Sequence, residues 1–272
     1  MKKNVVDPII FVIVSFTILA VPKEVLSLLS TKRLVAAFRK RLIRGLDILA
    51  AGIGIVLALP LWILLPILIK SDSPGPVFYR QMRTGVDRRR RDRRGVLIGS
   101  GADRRKKERR ARNLHGRPFY IIKFRTMTVE AEKESGAVWA TRNDPRVTSI
   151  GKWLRKYHID EIPQLFNVLR GDMSMIGPRP ERPEIISRLV AEVPQYHDRL
   201  VVKPGVTGPA QIFLGYDSCM DDIKRKVQFD SIYISDKSAR LYLLLLMLTA
   251  VKILASMIIV HVGIFNLNIT LS

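Results

Sequence analysis

Hydrophobic positions fall into three dense blocks separated by a patterned, polar middle. The first block, IIFVIVSFTILAV at 9–21, has 13 residues and ends at Pro22-Lys23-Glu24. Lys2 and Lys3 precede it, as in a signal peptide, but the exit ILAVPKE offers no small-x-small cleavage site. An uncleaved membrane-associated helix is the expectation. The second block, LDILAAGIGIVLALPLWILLPILI at 46–69, has a single charge, Asp47, at its edge. About 20 apolar residues suffice to cross a bilayer. Pro60 lies near its middle, where a lost hydrogen bond and a clash with the preceding turn predict a bend. The third block, 241–265, has Lys252 near its centre, and a central lysine costs ~3 kcal/mol on insertion. An interfacial helix is favoured there over a poor span or two short core helices.

Between the blocks the periods change. FYIIKFRTM at 119–127 alternates as a strand, with Ile122, Phe124 and Thr126 on one face and Lys123 and Arg125 on the other. Its plainest reading is a strand edge guarded by charge. RNDPRVTSIG at 142–151 reads as a turn, and Ile150, Trp153, Leu154 and Tyr157 predict a helix after it. Asp160 is a plausible N-cap for a further helix, with Pro163 in its first turn, Leu165, Phe166, Val168 and Leu169 as its apolar residues and Gly171 as its stop. GDMSMIGPRP at 171–180 has the chemistry of a loop, and KPGVTG at 203–208 that of a turn.

Charge sharpens this picture. Of 272 residues 47% are hydrophobic, yet 46 are Lys or Arg against 24 Asp or Glu, a net charge of +22. Bunching of apolar residues into membrane segments reconciles the two. A basic surplus points to polyanionic partners: nucleic acid, anionic lipid or phosphorylated substrates. The single Cys219 excludes an internal disulfide framework, and no Cys/His spacing suggests zinc. Basic residues flank 46–69 on both sides: Arg39, Lys40, Arg41 and Arg44 before it, Lys70, Arg80 and Arg83 after it. Positive charge marks the cytoplasmic side. A helix bent at Pro60 that enters and returns on one face satisfies both flanks; an ordinary kinked span is the alternative. Residues 87–117 hold 14 Arg or Lys against 4 Asp or Glu, +10 of the whole charge. No aromatic residue interleaves them, so a stacking platform for nucleic acid is missing, and a solvated loop on anionic headgroups is preferred.

The candidate chemistry lies in HIDEIPQLFNVLRGDMSMIGPRP, 158–180. Asp160 and Glu161 read structurally as ordinary acids at a helix start. Read functionally, an ionised carboxylate is a nucleophile toward phosphorus or a magnesium ligand. Arg179, boxed by Pro178 and Pro180, is either a rigid surface turn or a stiff guanidinium suited to bidentate phosphate recognition. No P-loop or dinucleotide fingerprint appears.

SPGPVFYRQMRTG, KFRTM, NDPRVTSIGKWLRK, DEIPQLFNVLRGDMSMIGPRP and KPGVTG occur in that order. On these motifs the chain resembles, over about 38–240, the bacterial sugar transferases that are monotopic polyprenyl-phosphate phosphoglycosyl transferases. The resemblance implies an α+β fold: a small membrane-associated catalytic domain with a proline-broken re-entrant helix, 46–69, and interfacial helices. It divides the chain into an N-terminal apolar segment and linker (1–37), a transferase domain (38–240) and a C-terminal apolar helix (241–272). It implies a bacterial inner-membrane enzyme, facing the cytoplasm, that moves a sugar phosphate from a UDP-sugar to polyprenyl phosphate with Mg²⁺. Asp160 would attack the sugar-bearing phosphorus and Glu161 would hold Mg²⁺ or tune the pair. Arg155, Arg179, Lys123 and Arg125 would bind substrate. Membrane lipids are expected partners, a homodimer is allowed, and nucleic acid is not expected. Departures from the family pattern are Pro209 where tryptophan often stands, no acid in the last helix, the 87–117 insertion and the tail after 250. The rival reading is a non-enzymatic membrane-anchored scaffold that binds nucleic acid or anionic lipid through the arginine run.

The insertion supplies a first prediction. Each Lys or Arg near an anionic leaflet contributes about 1 kcal/mol, screened by salt. Deleting residues 88–112 is expected to weaken binding to anionic vesicles, most at low salt, and to leave transfer in detergent within about twofold. Loss of transfer by a folded deletion variant would put the insertion in the active site.

Overall fold

Two helices carry the second apolar block, and the break between them precedes the proline. α1 runs Lys32–Leu57 and α2 Leu59–Asp72, bent by 60° at Ala58. Pro60 therefore sits in the first turn of α2, where a missing N–H has no partner to lose. The helical region is longer than the expected 46–69 at both ends. This computed structural model describes residues 32–87, 115–129, 131, 144–214, 220–236 and 238–269, with side chains between 35 and 255. The apolar segment 9–21 and insertion residues 88–114 lie outside the described residues. The chain divides into two units, 1–42 and 43–272, and the following concerns the second. Among the described residues no single helix is long and apolar enough to cross a membrane; the bent α1–α2 pair has the length and composition when taken together.

Polar side chains pin both helices to the rest of the unit. On α1, Arg44 donates to the carbonyls of Val168 (2.6 Å) and Leu169 (2.7 Å). One turn on, a single buried oxygen, Asp47 Oδ1, accepts from Ser174 Oγ (2.7 Å), Met175 N (2.8 Å) and Tyr242 Oη (2.7 Å). The C-terminal carbonyls of α2 go to a buried arginine: Arg125 donates to the carbonyls of Ile69, Ser73 and Pro74. Terminal helix carbonyls have no partner within the helix, so a guanidinium fork satisfies what burial would otherwise orphan.

β1 (Phe78–Thr84) and β2 (Pro118–Phe124) form an antiparallel hairpin, Phe78 opposite Phe124 and Thr84 opposite Pro118. Gly85 N to Arg117 O (2.9 Å) and Arg117 N to Val86 O (3.1 Å) close its end. The basic insertion thus leaves and re-enters at one point, the closed end of the hairpin. β2 stops at Phe124, so the expected 119–127 strand is too long and its face assignment changes. Phe119 and Ile121 are the buried alternation. Lys123 shares their face and points inward; Arg125 lies beyond the strand.

After the turn at 144–148 comes α3 (Ser149–Lys156), capped by Thr148 Oγ1 accepting from Gly151 N at 3.0 Å. Its buried residues are Gly151 and Leu154, while Trp153 is exposed, in contrast to the expected face. A 3₁₀ turn, Ile159–Glu161, leads through Pro163 into α4 (Gln164–Arg170), which ends at Gly171 with φ +84°. β3 (Ser174–Ile176) pairs in parallel with β4 (Gly205–Thr207), so two stretches expected to be turns meet as strands. The two backbones touch: a Cβ on Gly205 would lie 2.1 Å from Gly177 N. α5 (Pro183–Glu192), a 3₁₀ stretch (Pro194–Val201) and α7 (Met220–Asp236) share a core of Ile186, Leu189, Tyr196 and Val227. α6 (Pro209–Phe213) precedes α7. The last apolar block is one helix, α8 (Ala239–Ile269), not two. Leu241, Tyr242 and Leu245 join a core with Ile176 and Tyr233, so the fold continues past residue 240.

Gly205→Ala is expected to destabilise the protein by about 3 kcal/mol or to prevent folding, because overpacking a rigid backbone contact leaves nothing to yield. Gly45→Ala, with nothing within 4 Å of its added Cβ, is the control and is expected to raise the melting temperature slightly. Thermal denaturation in detergent checks both; equal tolerance of the two substitutions would refute the close-contact account.

Candidate active site

Asp160 caps no helix. It sits inside the 3₁₀ turn, α4 begins four residues later, and the residue before α4 is Pro163. His158, just ahead of the turn, holds φ +56°, a left-handed conformation costly for a non-glycine residue. This reversal folds the acidic pair back under α3. Asn167 sets the depth of α4: its Nδ2 donates to Tyr120 O (2.7 Å) and its Oδ1 accepts from Ile122 N (3.1 Å). A fully buried amide thereby fixes the acidic turn against β2, one residue from Lys123.

The cluster forms from four elements. Lys123 Nζ on β2 lies 2.7 Å from Glu161 Oε1 and 3.9 Å from Asp160 Oδ2. Arg179 clasps Glu161 with both terminal nitrogens, NH2 to Oε1 at 2.6 Å and NH1 to Oε2 at 3.1 Å. Arg155 on α3 is held by Nε to Thr126 Oγ1 at 2.8 Å, and its charge acts on Asp160. The loop bearing Arg179 is tied on both sides. Gly205 N donates to Pro178 O (2.9 Å), Gly177 N to Thr207 O (2.9 Å), and Arg83 NH1 to Pro180 O (3.1 Å). The Pro-Gly motif at 203–208 is therefore scaffolding for Arg179. Arg179 itself stands at the rim, its side chain 40% exposed, while both carboxylates are buried.

The two carboxylates differ in state. Burial pushes Asp160 upward, and the neighbouring Glu161 charge adds to it, against Lys123, Arg155 and Arg179. Burial acts on Glu161 in the same sense, but Arg179 and Lys123 outweigh it and hold Glu161 well below the usual carboxylate range. Glu161 is thus committed to two cations, whereas Asp160 has one long contact. Magnesium accepts one or two carboxylates and takes its remaining ligands from water and substrate phosphates. Among the described residues no group of three His, Cys, Asp or Glu could hold a metal unaided. Asp160 offers the hard oxygens such an ion takes, and Glu161 could join only through oxygens that already accept from Lys123 and Arg179.

The structure gathers Asp160, Glu161, Lys123, Arg179 and Arg155. Arg125, expected to bind substrate, is committed instead to the end of α2. Asn167, Thr126 and Asp47 escaped the sequence reading. A polar residue inside LFNVL was the available signal for Asn167, and the lone charge of an apolar block that for Asp47; Thr126 carried none.

A family model described as bacterial sugar transferase matches residues 38–92 and 105–256. The chain belongs to this family. It is 41% identical over 211 residues to an Aeromonas hydrophila UDP-N-acetylgalactosamine-undecaprenyl-phosphate N-acetylgalactosaminephosphotransferase, covering 78% of this chain and 43% of that protein. It is 35% identical over 210 residues to a UDP-glucose:undecaprenyl-phosphate glucose-1-phosphate transferase of Xanthomonas campestris pv. campestris, covering 76% and 38%. A Caulobacter vibrioides protein of the same name is 36% identical over 204 residues, covering 74% and 64%. The chain thus spans less than half the length of the first two. The family match enters the arginine run from both ends, covering 87–92 and 105–117, and breaks only between 92 and 105.

Opposite stability effects are expected at the two acids. A carboxyl with a raised folded-state pKa is stabilising only below that value and costs stability at neutral pH. Asp160→Asn is therefore expected to melt at or above the wild-type temperature at pH 7, with the gap closing as pH falls. Glu161 contributes stability above its ordinary unfolded value that is lost as pH falls through its depressed folded value. Glu161→Gln is expected to cost about 1–3 kcal/mol at pH 7, because Lys123 and Arg179 lose their shared partner. A melting temperature for Asp160→Asn below that of Glu161→Gln would reverse the assignment.

Proposed function

We propose that the chain transfers a sugar phosphate from a UDP-sugar to undecaprenyl phosphate, at the cytoplasmic face of the bacterial inner membrane, through a phosphosugar carried on Asp160. The observation that carries this reading is the asymmetry of the acidic pair. Glu161 is spent on Arg179 and Lys123, while Asp160 lies beside it with a single 3.9 Å contact, amid cationic groups that suit phosphates. The curated relatives are named for this transfer, with N-acetylgalactosamine or glucose as the sugar.

An Asp160 carboxylate oxygen attacks the sugar-bearing phosphorus of the donor. The bond from that phosphorus to the bridging oxygen breaks, and UMP leaves with the electron pair. Arg179, at the rim, and Arg155 and Lys123, deeper, meet the charge on the two phosphates. A phosphate oxygen of the lipid then attacks the same phosphorus, the bond to Asp160 breaks, and the carboxylate is restored. The product is a polyprenyl diphosphate sugar, and no net proton is needed. Mg²⁺ held by Asp160 and Glu161 would neutralise the donor diphosphate. Such a product opens a polysaccharide or glycoconjugate pathway. The membrane reading rests on α1 and α2: the pair is bent by 60°, leaves Ile53, Val56, Leu57, Ile63 and Ile67 exposed, and has basic residues at both ends. A re-entrant pair of this kind keeps both flanks cytoplasmic.

Asp160→Asn is expected to lower UMP release from UDP-sugar and polyprenyl phosphate by at least a thousandfold, and to prevent ³²P labelling of the protein by a donor labelled in its sugar-bearing phosphate without acceptor. Residual turnover within tenfold of wild type would exclude Asp160 as the nucleophile.

A further inference from the structure

α8 presents two stripes of opposite character. Tyr242, Leu245, Thr249 and Lys252, at helical spacing, face the protein. Tyr242 Oη donates to Asp47, Leu245 is buried, Thr249 Oγ1 meets Thr207 Oγ1 at 3.0 Å, and Lys252 Nζ donates to Gln211 O (3.0 Å) and Ile212 O (2.7 Å). The other stripe, Leu243, Met247, Val251 and Leu254, is exposed, Met247 to 67% and Val251 to 60%. The charge that made this block a poor membrane segment is therefore turned onto the last carbonyls of α6, away from the exposed stripe. Past it the helix continues to Ile269, and Ile253–Phe265 contains no Asp, Glu, Lys or Arg.

Neither water nor the membrane surface suits such a helix. A helix apolar on every side belongs in a protein core or in lipid, and one that lies in the interface needs a strongly polar face. Beyond Lys252 the sequence offers none. The 13 residues 253–265 extend ~20 Å, short of the ~30 Å hydrocarbon core. We infer that α8 enters the bilayer beyond Lys252, with residues 253–265 in the hydrocarbon, as a second membrane insertion beside the α1–α2 pair. Lys252 then marks the point where the helix leaves the protein and enters lipid. This replaces the interfacial helix expected from the sequence, and it rests on the membrane reading above.

The test uses the full chain with Cys219→Ser, in vesicles of phosphatidylethanolamine and phosphatidylglycerol, and one cysteine bearing an NBD fluorophore. Ile258→Cys lies four residues past Leu254 in the sequence, within the segment proposed to enter lipid. Ile63→Cys reports on α2 and Lys224→Cys on the exposed face of α7. Each variant is first checked for UMP release. The expected result is quenching at 258 and 63 by lipids brominated on the acyl chain, with at least fivefold protection from aqueous iodide relative to 224. Iodide access at 258 with lipid quenching at 63 overturns the inference about α8 alone. Protection at 258 from both quenchers overturns it in favour of a protein cover, such as a second copy. Failure of lipid quenching at both 63 and 258 overturns the membrane reading itself.

Discussion

Glu161 is the residue around which the site is assembled. Its two oxygens take Lys123 from β2 and Arg179 from the loop after β3, and so join two small sheets that share no strand. Asp160 gains its character from this arrangement. Were Glu161 uncommitted, two buried carboxylates side by side would share one proton. With Glu161 held ionised by two cations, Asp160 is the member whose negative charge is poorly compensated, and in the proposed transfer an electrophilic phosphorus would relieve that. The pair is one acid that organises the cluster and one left with a single long contact.

The basic surplus divides by the same accounting. Much of it is not aimed at any partner. Arg44 and Arg125 saturate the ends of α4 and α2, Arg199 pairs with Asp230 in the core at 2.8 Å, and Arg83 holds Pro180 O and Glu181. Guanidinium groups suit this work because one planar fork reaches several carbonyls and cannot lose its proton. The domain is rich in short helices joined by tight loops, so it has many helix ends to satisfy. The net charge overstates how much of the protein faces a polyanion; by sequence alone the run at 87–117 carries +10 of it.

What the sequence made legible was local. The broken second block, the helix after the Asn-Asp-Pro turn and the stop at Gly171 follow from proline, period and capping rules that operate within a few residues, whereas the acidic pair gained its assigned role only through the family motif. What it hid was nonlocal. The parallel pairing of β3 with β4 needs contact between 174 and 205, and three-residue strands carry no alternation to announce it. Arg125 looked like a strand residue because its backbone still is one in effect, its N–H donating to Val77 O at 2.8 Å, while its guanidinium turns to the end of α2. Asp160 looked like a cap because an acid before a proline and an apolar run is what a cap looks like; the left-handed His158 and the 3₁₀ turn, which no composition rule foresees, move it into the site instead.

The same nonlocal logic explains the charges inside the apolar blocks. Asp47 and Lys252 each weaken the case for a membrane segment when read along the chain, and each is a tether when read in space. Asp47 ties α1 to β3 and α8; Lys252 ties α8 to α6. A helix leaving a catalytic domain for lipid has no hydrophobic gain to hold its last protein contact, since lipid offers equal burial. Under the proposed insertion a hydrogen bond from a charged group is then the fitting attachment, because breaking it would leave the charge to face hydrocarbon. Placed at the point of departure, such a bond fixes where the apolar helix begins relative to the catalytic centre. Ser174, gripped by Asp47, opens the strand that runs on to Arg179, so the depth of α1 and the position of the arginine that clasps Glu161 are set by one carboxylate oxygen.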